Sequence, residues 1–477
     1  MSFLSRCLAC SLALVTTSAL ADPALLIAHV SVIDATGAPP QPDRAVLIID
    51  GRIASIGAPE KTPMPAGAQY IDGRGKFLIP GLWDMHVHLL RRGRPEAYFP
   101  LLIANGVTGV RDMGGNFSFD EIAQLRREIA DGHRLGPQIV AAGPILDGPY
   151  PQLPSISVVV ADAAAARMQV DLLARQGADF IKVYNRLSRE AYFAIADEAK
   201  KQRLPFAGHV PFSVSAREAS DAGQASIEHL FNVLFACSSR EDELMRIKAR
   251  SLASDESGER QSLRRLYLHG VLDSYSEPRC AELYTHFVRN KTWQTPTLVQ
   301  RRAFAYPDAS LAADPNRRYV PRSLRALWDP QQDHRLQGRD ADDEDIQRRY
   351  YERDRALIAP MRRAGVRFLA GTDAGDPFSI PGFSLHQELE MLVDAGLTPM
   401  EALQSATRDA AEFLHRDSQF GSIAPGLRAD LVLLDRDPLA SIRNTQAIAA
   451  VVVGGRYLRR EDLDRLLLQA QAAADTQ

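Results

Sequence analysis

The chain has 477 residues, of which 45% are hydrophobic and 24% are charged, as is usual for a soluble globular protein. This length allows one large domain with a smaller one, or two to three domains of average size. The formal net charge of −3 argues against nucleic acid or an acidic membrane surface as a partner.

Residues 1–21 have the features of a secretory signal peptide. Arg6 supplies a positive charge, LACSLALVTTSAL is a short apolar stretch, and Ala19-Leu20-Ala21 fits a small-x-small cleavage site. The stretch is too short for a comfortable membrane span, and a lipoprotein site at Cys10 would leave only a few apolar residues before it. The sequence therefore predicts export, to the periplasm or the medium, after cleavage at this site.

Both ends of the mature chain have strand-type sequences. ALLIAHVSVID, AVLIIDGRIASIG and AQYIDGRGKFLIP are rich in Val and Ile, and Asp50-Gly51 marks a tight hairpin. ADLVLLD and IAAVVVGGRYL have the same character near the other end. We therefore expect a composite β-sandwich built from residues 22–79 and 420–468.

Residues 80–419 alternate between short apolar runs and helical stretches. Strand–helix alternation predicts a parallel sheet, and eight such units predict an α/β fold with a (β/α)8 TIM barrel. An open doubly wound sheet is the alternative. The eight runs are GLWDMHVH, VTGVRDM, PQIVAAG, ADFIKVYN, LPFAGHV, ASIEHLF, TWQTPTL and VRFLAGTD.

Two connections within this region are long enough to be inserts. Residues 231–291 are expected to be mostly helical and contain Cys237 and Cys280, the two cysteines that remain after signal-peptide cleavage. An oxidising compartment permits a disulfide between them, whereas two separate buried thiols are the alternative. Residues 299–365 are dense in Arg and Asp, so this insert is either a solvated helix or a lid or pocket wall.

Residue types that commonly bind metal ions stand at the carboxyl ends of several of these runs. His86 and His88 are two apart and so point to one face of a strand, while His209 and His229 close the fifth and sixth runs. Asp373 ends the eighth run. An unpaired carboxylate at this position requires a bound cation or a role in proton transfer. Active-site groups of barrels occupy this edge, and imidazole and carboxylate ligands suit Zn²⁺, with Mn²⁺, Co²⁺ and Fe²⁺ as alternatives.

Lys182 lies between apolar residues of the fourth run. A buried ammonium without a partner is costly, so this lysine has a carboxylate partner, extends its amine into water, or has lost its charge. Reaction with carbon dioxide would give a carbamate, which can bridge two cations. Among the remaining histidines, only His386 is expected near the pocket.

These motifs together resemble the metal-dependent amidohydrolase superfamily, and within it the imidazolonepropionase-like branch that includes exported prolidase-like dipeptidases and amide hydrolases. The resemblance implies a (β/α)8 barrel with a sandwich composed from both termini, and a small-molecule substrate. The motifs span nearly all of the mature chain and are LIPGLWDMHVH, GVTGVRDMGG, DFIKVY, FAGHV, IEHL, AGTDAG, LTPMEALQSAT and GSIAPGLRADLVLLDRDPL.

The resemblance also implies a centre of two divalent metal ions, with zinc as the expected metal. The two histidines of the first run and Asp373 would bind the more buried ion, and the histidines of the fifth and sixth runs would bind the second. Lys182, carbamylated by carbon dioxide, would bridge the two ions.

The expected reaction is hydrolysis of an amide bond in a small molecule such as a dipeptide or an N-acyl amino acid. A water held between two cations is deprotonated near neutral pH and attacks the carbonyl, while Asp373 takes its proton and returns it to the leaving nitrogen. Tyr184 is either a donor to the oxyanion or a packing residue. Insert arginines, among them Arg317, Arg318 and Arg322, are expected to meet a substrate carboxylate.

Other functions fit the same pattern. Opening of a cyclic amide or lactone, or deamination, uses the same scaffold, because fold and metal do not determine the substrate. A non-enzymatic binding protein is a third hypothesis, although a binding module does not need a site that generates a nucleophile. Arg111 is expected to be structural, and a homo-oligomer is compatible with the sequence.

Overall fold

The computed structural model describes residues 24–333 and 336–476, so the predicted signal peptide lies outside the described residues. The strands in chain order are β1 (Leu25–Val32), β2 (Gln41–Ile49), β3 (Arg52–Gly57), β4 (Gln69–Asp72), β5 (Phe77–Pro80), β6 (Leu82–Val87), β7 (Val107–Asp112), β8 (Gln138–Ala141), β9 (Ile145–Asp147), β10 (Ser157–Val159), β11 (Ile181–Val183), β12 (Phe206–Gly208), β13 (Ser226–Glu228), β14 (Trp293–Thr295), β15 (Leu431–Leu434), β16 (Ile448–Val453) and β17 (Arg456–Arg459).

Helices follow or connect most of these strands. The α-helices are α1 (Arg94–Ala104), α2 (Phe119–Ala130), α3 (Ala163–Gln176), α4 (Arg189–Gln202), α5 (Ala216–Asp221), α6 (Val233–Ala236), α7 (Glu241–Ala253), α8 (Ser257–Asp273), α9 (Glu277–Asn290), α10 (Leu298–Ala305), α11 (Ala309–Ala312), α12 (Arg322–Arg325), α13 (Ala341–Ala364), α14 (Phe383–Asp394), α15 (Pro399–Ser405), α16 (Arg408–Phe413) and α17 (Arg460–Thr476). Within the described ranges, none of these helices is both long and apolar enough to cross a membrane.

Strands from the two ends of the chain form one eight-stranded sheet. Its order is β17-β16-β15-β5-β1-β2-β3, and β4 pairs with the first half of β1 while β5 pairs with its end. The antiparallel pairing of β15 with β5 joins the ends, and Leu433 lies opposite Leu78. Apolar side chains of both ends pack in a common cluster. The strand pairing shows a single sheet, so the two-layer sandwich and its boundaries remain a prediction.

The middle of the chain contains parallel strands in two groups. One sheet has the order β6-β7-β8, and the other has the order β10-β9-β11-β12-β13-β14. Helices such as α4 and α2 begin at serines that accept the hydrogen bond of a backbone N–H three residues on, which defines where each strand-to-helix loop ends. The first seven predicted runs each contain one of these strands.

The prediction of an eighth regular strand was wrong. Residues 366–373 make only isolated bridges, between Phe368 and Gln294 and between Ala374 and Val87. Asp373 has a left-handed backbone with φ of 60°, which interrupts an extended ladder. A side chain at Gly371 would meet the Cβ of His86 at 2.8 Å, so glycine allows this segment to approach β6. The parallel strands therefore do not form a continuous closed ring of ladders.

The two inserts are helical. Residues 231–291 contain α6 to α9, and a disulfide joins Cys237 to Cys280, which decides between the two alternatives for these cysteines. Residues 299–365 contain most of α10 together with α11, α12 and the 24-residue α13. This second insert covers the same edge of the parallel strands at which the predicted metal ligands lie.

Candidate metal centre

His86 and His88 project into one space at the carboxyl end of β6. Every residue of β6 is buried, and the two imidazole rings are 5.5 Å apart. The Nε2 atoms of His86 and His88 each lie 3.3 Å from Oδ1 of Asp373. The period of two in a strand has therefore brought both predicted histidines to the predicted carboxylate.

The histidines that follow β12 and β13 face the same space. The rings of His209 and His229 are 4.7 Å apart, and the His229 ring is 4.6 Å from that of His86. Nε2 of His229 lies 3.9 Å from Oδ2 of Asp373. The structure thus brings all four predicted histidines together with Asp373.

Each of these imidazoles has its Nδ1 atom paired with an oxygen, so that Nε2 is the nitrogen directed at the centre. Such pairing determines the tautomer and the orientation of metal-binding histidines. The Nδ1 partners are Glu228 Oε2 for His86 at 2.7 Å, the Gly114 carbonyl for His88 at 2.8 Å, Asn185 Oδ1 for His209 at 2.8 Å, and Thr297 Oγ1 for His229 at 2.5 Å.

Several buried polar atoms at this centre have no hydrogen-bond partner, namely Nε2 of His86, Oδ1 of Asp373 and Nζ of Lys182. Leaving such an atom unpaired costs about 1–3 kcal/mol, which indicates that a further group binds here. Ligand atoms of His86, His229 and Asp373 lie within 4.8 Å of one another. Imidazole nitrogen and carboxylate oxygen are the donors that zinc and related divalent ions take, so the residues present fit a divalent cation.

Lys182 in β11 is completely buried. Burial lowers the pKa of its ammonium group to about 8, although the carboxylates of Glu228 and Asp373 act in the opposite direction. Its Nζ atom lies 5.7 Å from the centre of the Tyr184 ring. Among the described residues no carboxylate is within ion-pair distance of Nζ. The alternative that Lys182 pairs directly with a carboxylate is therefore wrong.

The protonation states of Asp373, His209 and His229 are those that metal binding requires. Burial by itself would raise the pKa of Asp373, but the neighbouring His86, His88 and His229 hold it well below its usual range. Burial is the main reason why the pKa values of the His209 and His229 imidazoles are well below their usual value. Asp373 is therefore an ionised carboxylate, and the imidazoles of His209 and His229 are neutral.

Arg111 is structural, as the sequence predicted. Its guanidinium is buried and donates to both carboxylate oxygens of Glu228, at 2.9 and 3.1 Å, and to the Met85 carbonyl at 2.6 Å. Burial would raise the pKa of Glu228, yet Arg111 holds it well below its usual range. Glu228 can therefore accept the Nδ1–H of His86 as a full carboxylate.

Three residues of this hydrogen-bonding layer were missed by sequence analysis, namely Glu228, Asn185 and Thr297. Each lies at or just beyond the end of a parallel strand, which is a positional signal that the sequence contains. Their function depends on which neighbouring strand each side chain faces, and that is defined only by the folded sheet.

A cavity of about 770 Å³ opens above the centre. His88, His209, His229, Asp373 and Tyr184 lie in its lining. Of the two interpretations of residues 299–365, the structure supports the pocket wall. Residues of this insert that line the cavity are Gln300, Arg301, Phe304, Ala305, Leu324, Leu327, Trp328, Asp333, Arg339, Gln347, Tyr350 and Tyr351.

Two arginines of the insert line the cavity, but the three that the sequence analysis named do not. Arg317 donates to the carbonyls of Ala312 and Arg325, and Arg318 hydrogen-bonds the Tyr319 hydroxyl. Neither they nor Arg322 line the cavity, because their helical turns direct them elsewhere. The arginines in the lining are Arg91, Arg94, Arg264, Arg301 and Arg339.

His386 was wrongly expected near the pocket. It is buried in α14, where its Nδ1 pairs with the Thr445 hydroxyl at 2.9 Å and its Nε2 with the Asn105 carbonyl at 3.1 Å. Both ring nitrogens are therefore used in packing α14 against neighbouring segments.

Tyr184 belongs to the cavity lining and also packs against a predicted ligand. Its ring lies 4.1 Å from that of His209. Burial raises the pKa of its phenol, so the hydroxyl keeps its proton at neutral pH and can act as a donor.

The fold and this site define a class of protein, and comparison with known proteins identifies it. The chain belongs to the amidohydrolase family, whose model matches residues 77–458. Among solved structures it is similar to a bottromycin amidohydrolase, with a TM-score of 0.72 and 26% identity over 94% of this chain and 90% of that one. A putative prolidase from Bifidobacterium longum has a TM-score of 0.66 and 25% identity over 94% of this chain and 99% of that one.

Curated proteins give more distant or shorter matches. Ochratoxinase from Aspergillus niger is 22% identical over 489 aligned positions, which cover 88% of this chain and 84% of the relative. A dihydroorotase from Pelotomaculum thermopropionicum is 49% identical over 51 residues, and the chain spans 11% of its length. The predicted superfamily is thus confirmed, and the neighbours have the mixed α/β architecture of TIM-barrel type.

Proposed function

We propose that this chain is an exported metal-dependent hydrolase that cleaves an amide bond in a small molecule such as a dipeptide or an N-acyl amino acid. The observation that carries the proposal is the convergence of four Nε2 atoms, one carboxylate and one buried lysine at the base of a large cavity. Family membership and the likeness to amide-cleaving relatives support hydrolysis of amide bonds in general.

The resemblance to the amidohydrolase superfamily implies which residues would hold the cofactor. His86, His88 and Asp373 would bind one zinc ion, His209 and His229 would bind a second, and a carbamate on the Lys182 amine would bridge them. When bound there, divalent ions supply Lewis acidity for the scissile carbonyl and a nucleophile at neutral pH. The unpartnered Nζ of Lys182 supports the two-ion form.

The side chains of the centre have separate tasks in this reaction. Oδ1 and Oδ2 of Asp373 would accept the proton of the attacking water and return it to the leaving nitrogen. The Tyr184 hydroxyl would donate a hydrogen bond to the oxyanion that develops on the carbonyl oxygen. Because these groups are buried, their interactions are stronger than they would be in water.

Arg91 is the arginine that we propose binds a substrate carboxylate. Its Nε atom is buried without a hydrogen-bond partner, and it lines the cavity beside the metal ligands. Its charge interacts with Asp112, Asp376 and Asp373. Arg94 instead donates to the His88 carbonyl at 2.6 Å, and Arg301 is paired with Asp354. This proposal replaces the earlier expectation for the arginines near residue 317.

The fold and location that we propose extend these observations. Residues 366–374, which bridge β14 and the end of β6, would take the place of the eighth strand of a (β/α)8 barrel, and the terminal sheet would form the sandwich. The disulfide between Cys237 and Cys280 supports an oxidising compartment, as expected for a periplasmic or secreted protein. We propose no nucleic-acid or membrane partner.

A substrate panel tests the proposed reaction. The chain from Asp22 onward, prepared with zinc and bicarbonate, would be incubated with Xaa-Pro, Xaa-Arg and Xaa-Phe dipeptides, N-acyl amino acids, lactones and cyclic amides. Mass spectrometry should detect the free acid and amine from at least one linear amide. Turnover of lactones or cyclic amides alone, or release of ammonia alone, would contradict amide-bond cleavage of the linear type and support the alternative.

A further inference from the structure

One wall of the cavity is apolar and is built entirely by the insert. Phe304, Leu324, Leu327 and Trp328, which we call the apolar wall, lie in α10, in α12 and directly after it. Leu327 is 55% exposed although it is aliphatic. An exposed leucine next to other apolar side chains in a cavity indicates a surface that a ligand covers.

Three residues of the apolar wall pack in one cluster with the loop that follows Asp373. Trp328 is buried and packs 6.3 Å from the ring of Phe378, and Phe304 and Leu324 join the same apolar cluster. Phe378 lies five residues after Asp373 in the chain. The wall therefore packs on the loop that follows the proposed proton-transfer carboxylate.

Other parts of the lining are polar. Arg91 lies in the loop between β6 and α1 and Arg94 is the first residue of α1, while Gln152 and Asn185 follow β9 and β11. A volume of about 770 Å³ is in the range of roughly 300–1,000 Å³ that holds drug-sized ligands. The cavity therefore combines polar, cationic groups with an apolar surface, which matches a ligand that has one group of each kind.

We propose that the apolar wall is an acyl subsite and that the substrates are amino acids N-acylated with a long aliphatic or an aromatic acyl group. This inference rests on the proposed function and specifies its substrate class. The acyl group would lie on the apolar wall, and the carboxylate of the amino acid would face Arg91. Hydrolysis breaks the C–N bond, forms a C–O bond from water, and leaves a fatty or aromatic acid and an amino acid whose nitrogen has gained the proton.

A homologous series of substrates tests the subsite. N-acyl phenylalanines with acyl chains of two to ten carbons would be compared by kcat/KM. Burial of each methylene on the wall should raise kcat/KM about fourfold until the wall is covered. In Leu327→Ala and Trp328→Ala the increase per methylene should be smaller, whereas Leu468→Ala, which changes an exposed leucine of α17, should keep the wild-type increase.

Binding measurements separate this inference from the proposed reaction. Calorimetry on Asp373→Asn protein would measure the affinity of the same series without turnover. An affinity that rises with chain length in this variant and falls in the double variant with Leu327→Ala supports the subsite, even if no amide is cleaved. Affinity and kcat/KM that are independent of chain length would overturn the inference. Turnover confined to short acyl groups would also overturn the acyl subsite, but it would leave the proposed amide hydrolysis standing.

Discussion

The carboxylate of Glu228 orients His86, one of the residues that we propose bind a metal ion. The carboxylate receives Arg111 on one side and the Nδ1–H of His86 on the other. In Glu228→Gln, which keeps the size but removes the charge, the affinity for the first zinc ion should fall about 10–100-fold. Competition with a chelator measures this affinity. An unchanged affinity would mean that Glu228 does not orient His86.

Arg91 provides a second test at the level of single residues. Arg91→Met should raise KM for a carboxylate-bearing substrate about 10–100-fold, because a hydrogen bond to a charged group contributes about 1.5–3 kcal/mol. It should change KM much less for the matching carboxamide. Steady-state kinetics on both substrates give the comparison, with Arg317→Met as the control because Arg317 binds only backbone carbonyls of the insert. Equal changes for both substrates would exclude Arg91 as the carboxylate-binding residue.

The convergence of the proposed ligand residues was predictable from the sequence because strand periodicity and strand ends determine where they point. The period of two of a strand was sufficient to predict that His86 and His88 face the same side. The position at the end of a parallel strand was sufficient to place His209 and His229 at the same edge. Arg91 was not identified, because it lies in a loop whose path depends on packing beneath the insert. Arg317 was misassigned because the density of charge in a segment does not show which side chains face a cavity.

At the scale of elements, the connection between α14 and α10 links the insert to the centre. Glu388 in α14 is buried and accepts the Val299 N–H of α10 at 2.8 Å, next to Thr297, whose hydroxyl pairs with His229. Burial raises the pKa of the Glu388 carboxyl to about 8. In the folded protein this group is therefore protonated at neutral pH, whereas in the unfolded chain it is ionised above its usual pKa of 4.5.

This difference predicts a pH dependence of stability. A raised pKa in the folded state stabilises the fold fully below pH 4.5, and the contribution is lost as the pH rises towards about 8. Glutamine resembles the protonated acid. Between pH 4.5 and about 8 the free energy of unfolding should therefore fall less in Glu388→Gln than in the wild type. Urea denaturation of metal-free protein at several pH values measures it. Identical pH profiles for the wild type and the variant would show that Glu388 is ionised when folded.

Element prediction succeeded for the strands and was incomplete for their pairing. Seven apolar runs were long enough to be identified, but the eighth is interrupted by the left-handed backbone of Asp373. The residue preferences of AGTDAG do not predict this, because residues other than glycine seldom adopt a left-handed backbone. The extra strands β9 and β10 are three residues each, too short for a recognisable pattern.

At the scale of the whole molecule, the disulfide joins the end of α6, a short helix that follows His229, to α9. Cys237 and Cys280 are separated by 43 residues. Changing both to Ser should lower the free energy of unfolding by about 2–4 kcal/mol. Denaturation of the double variant beside reduced and oxidised wild type measures the effect. A variant as stable as the oxidised wild type would show that the bond does not contribute.

The central claim is that this chain cleaves amide bonds at a centre of two metal ions joined through Lys182, and zinc content measured together with amide hydrolysis tests it most directly. Wild type, Lys182→Ala and the surface control Lys201→Ala would be loaded with zinc and bicarbonate, desalted and analysed. The account predicts about two zinc ions per chain and amide turnover in wild type and Lys201→Ala, and about one zinc ion with at least a hundredfold lower kcat/KM in Lys182→Ala. Two zinc ions and full turnover in Lys182→Ala, or amide turnover that does not require metal, would contradict it.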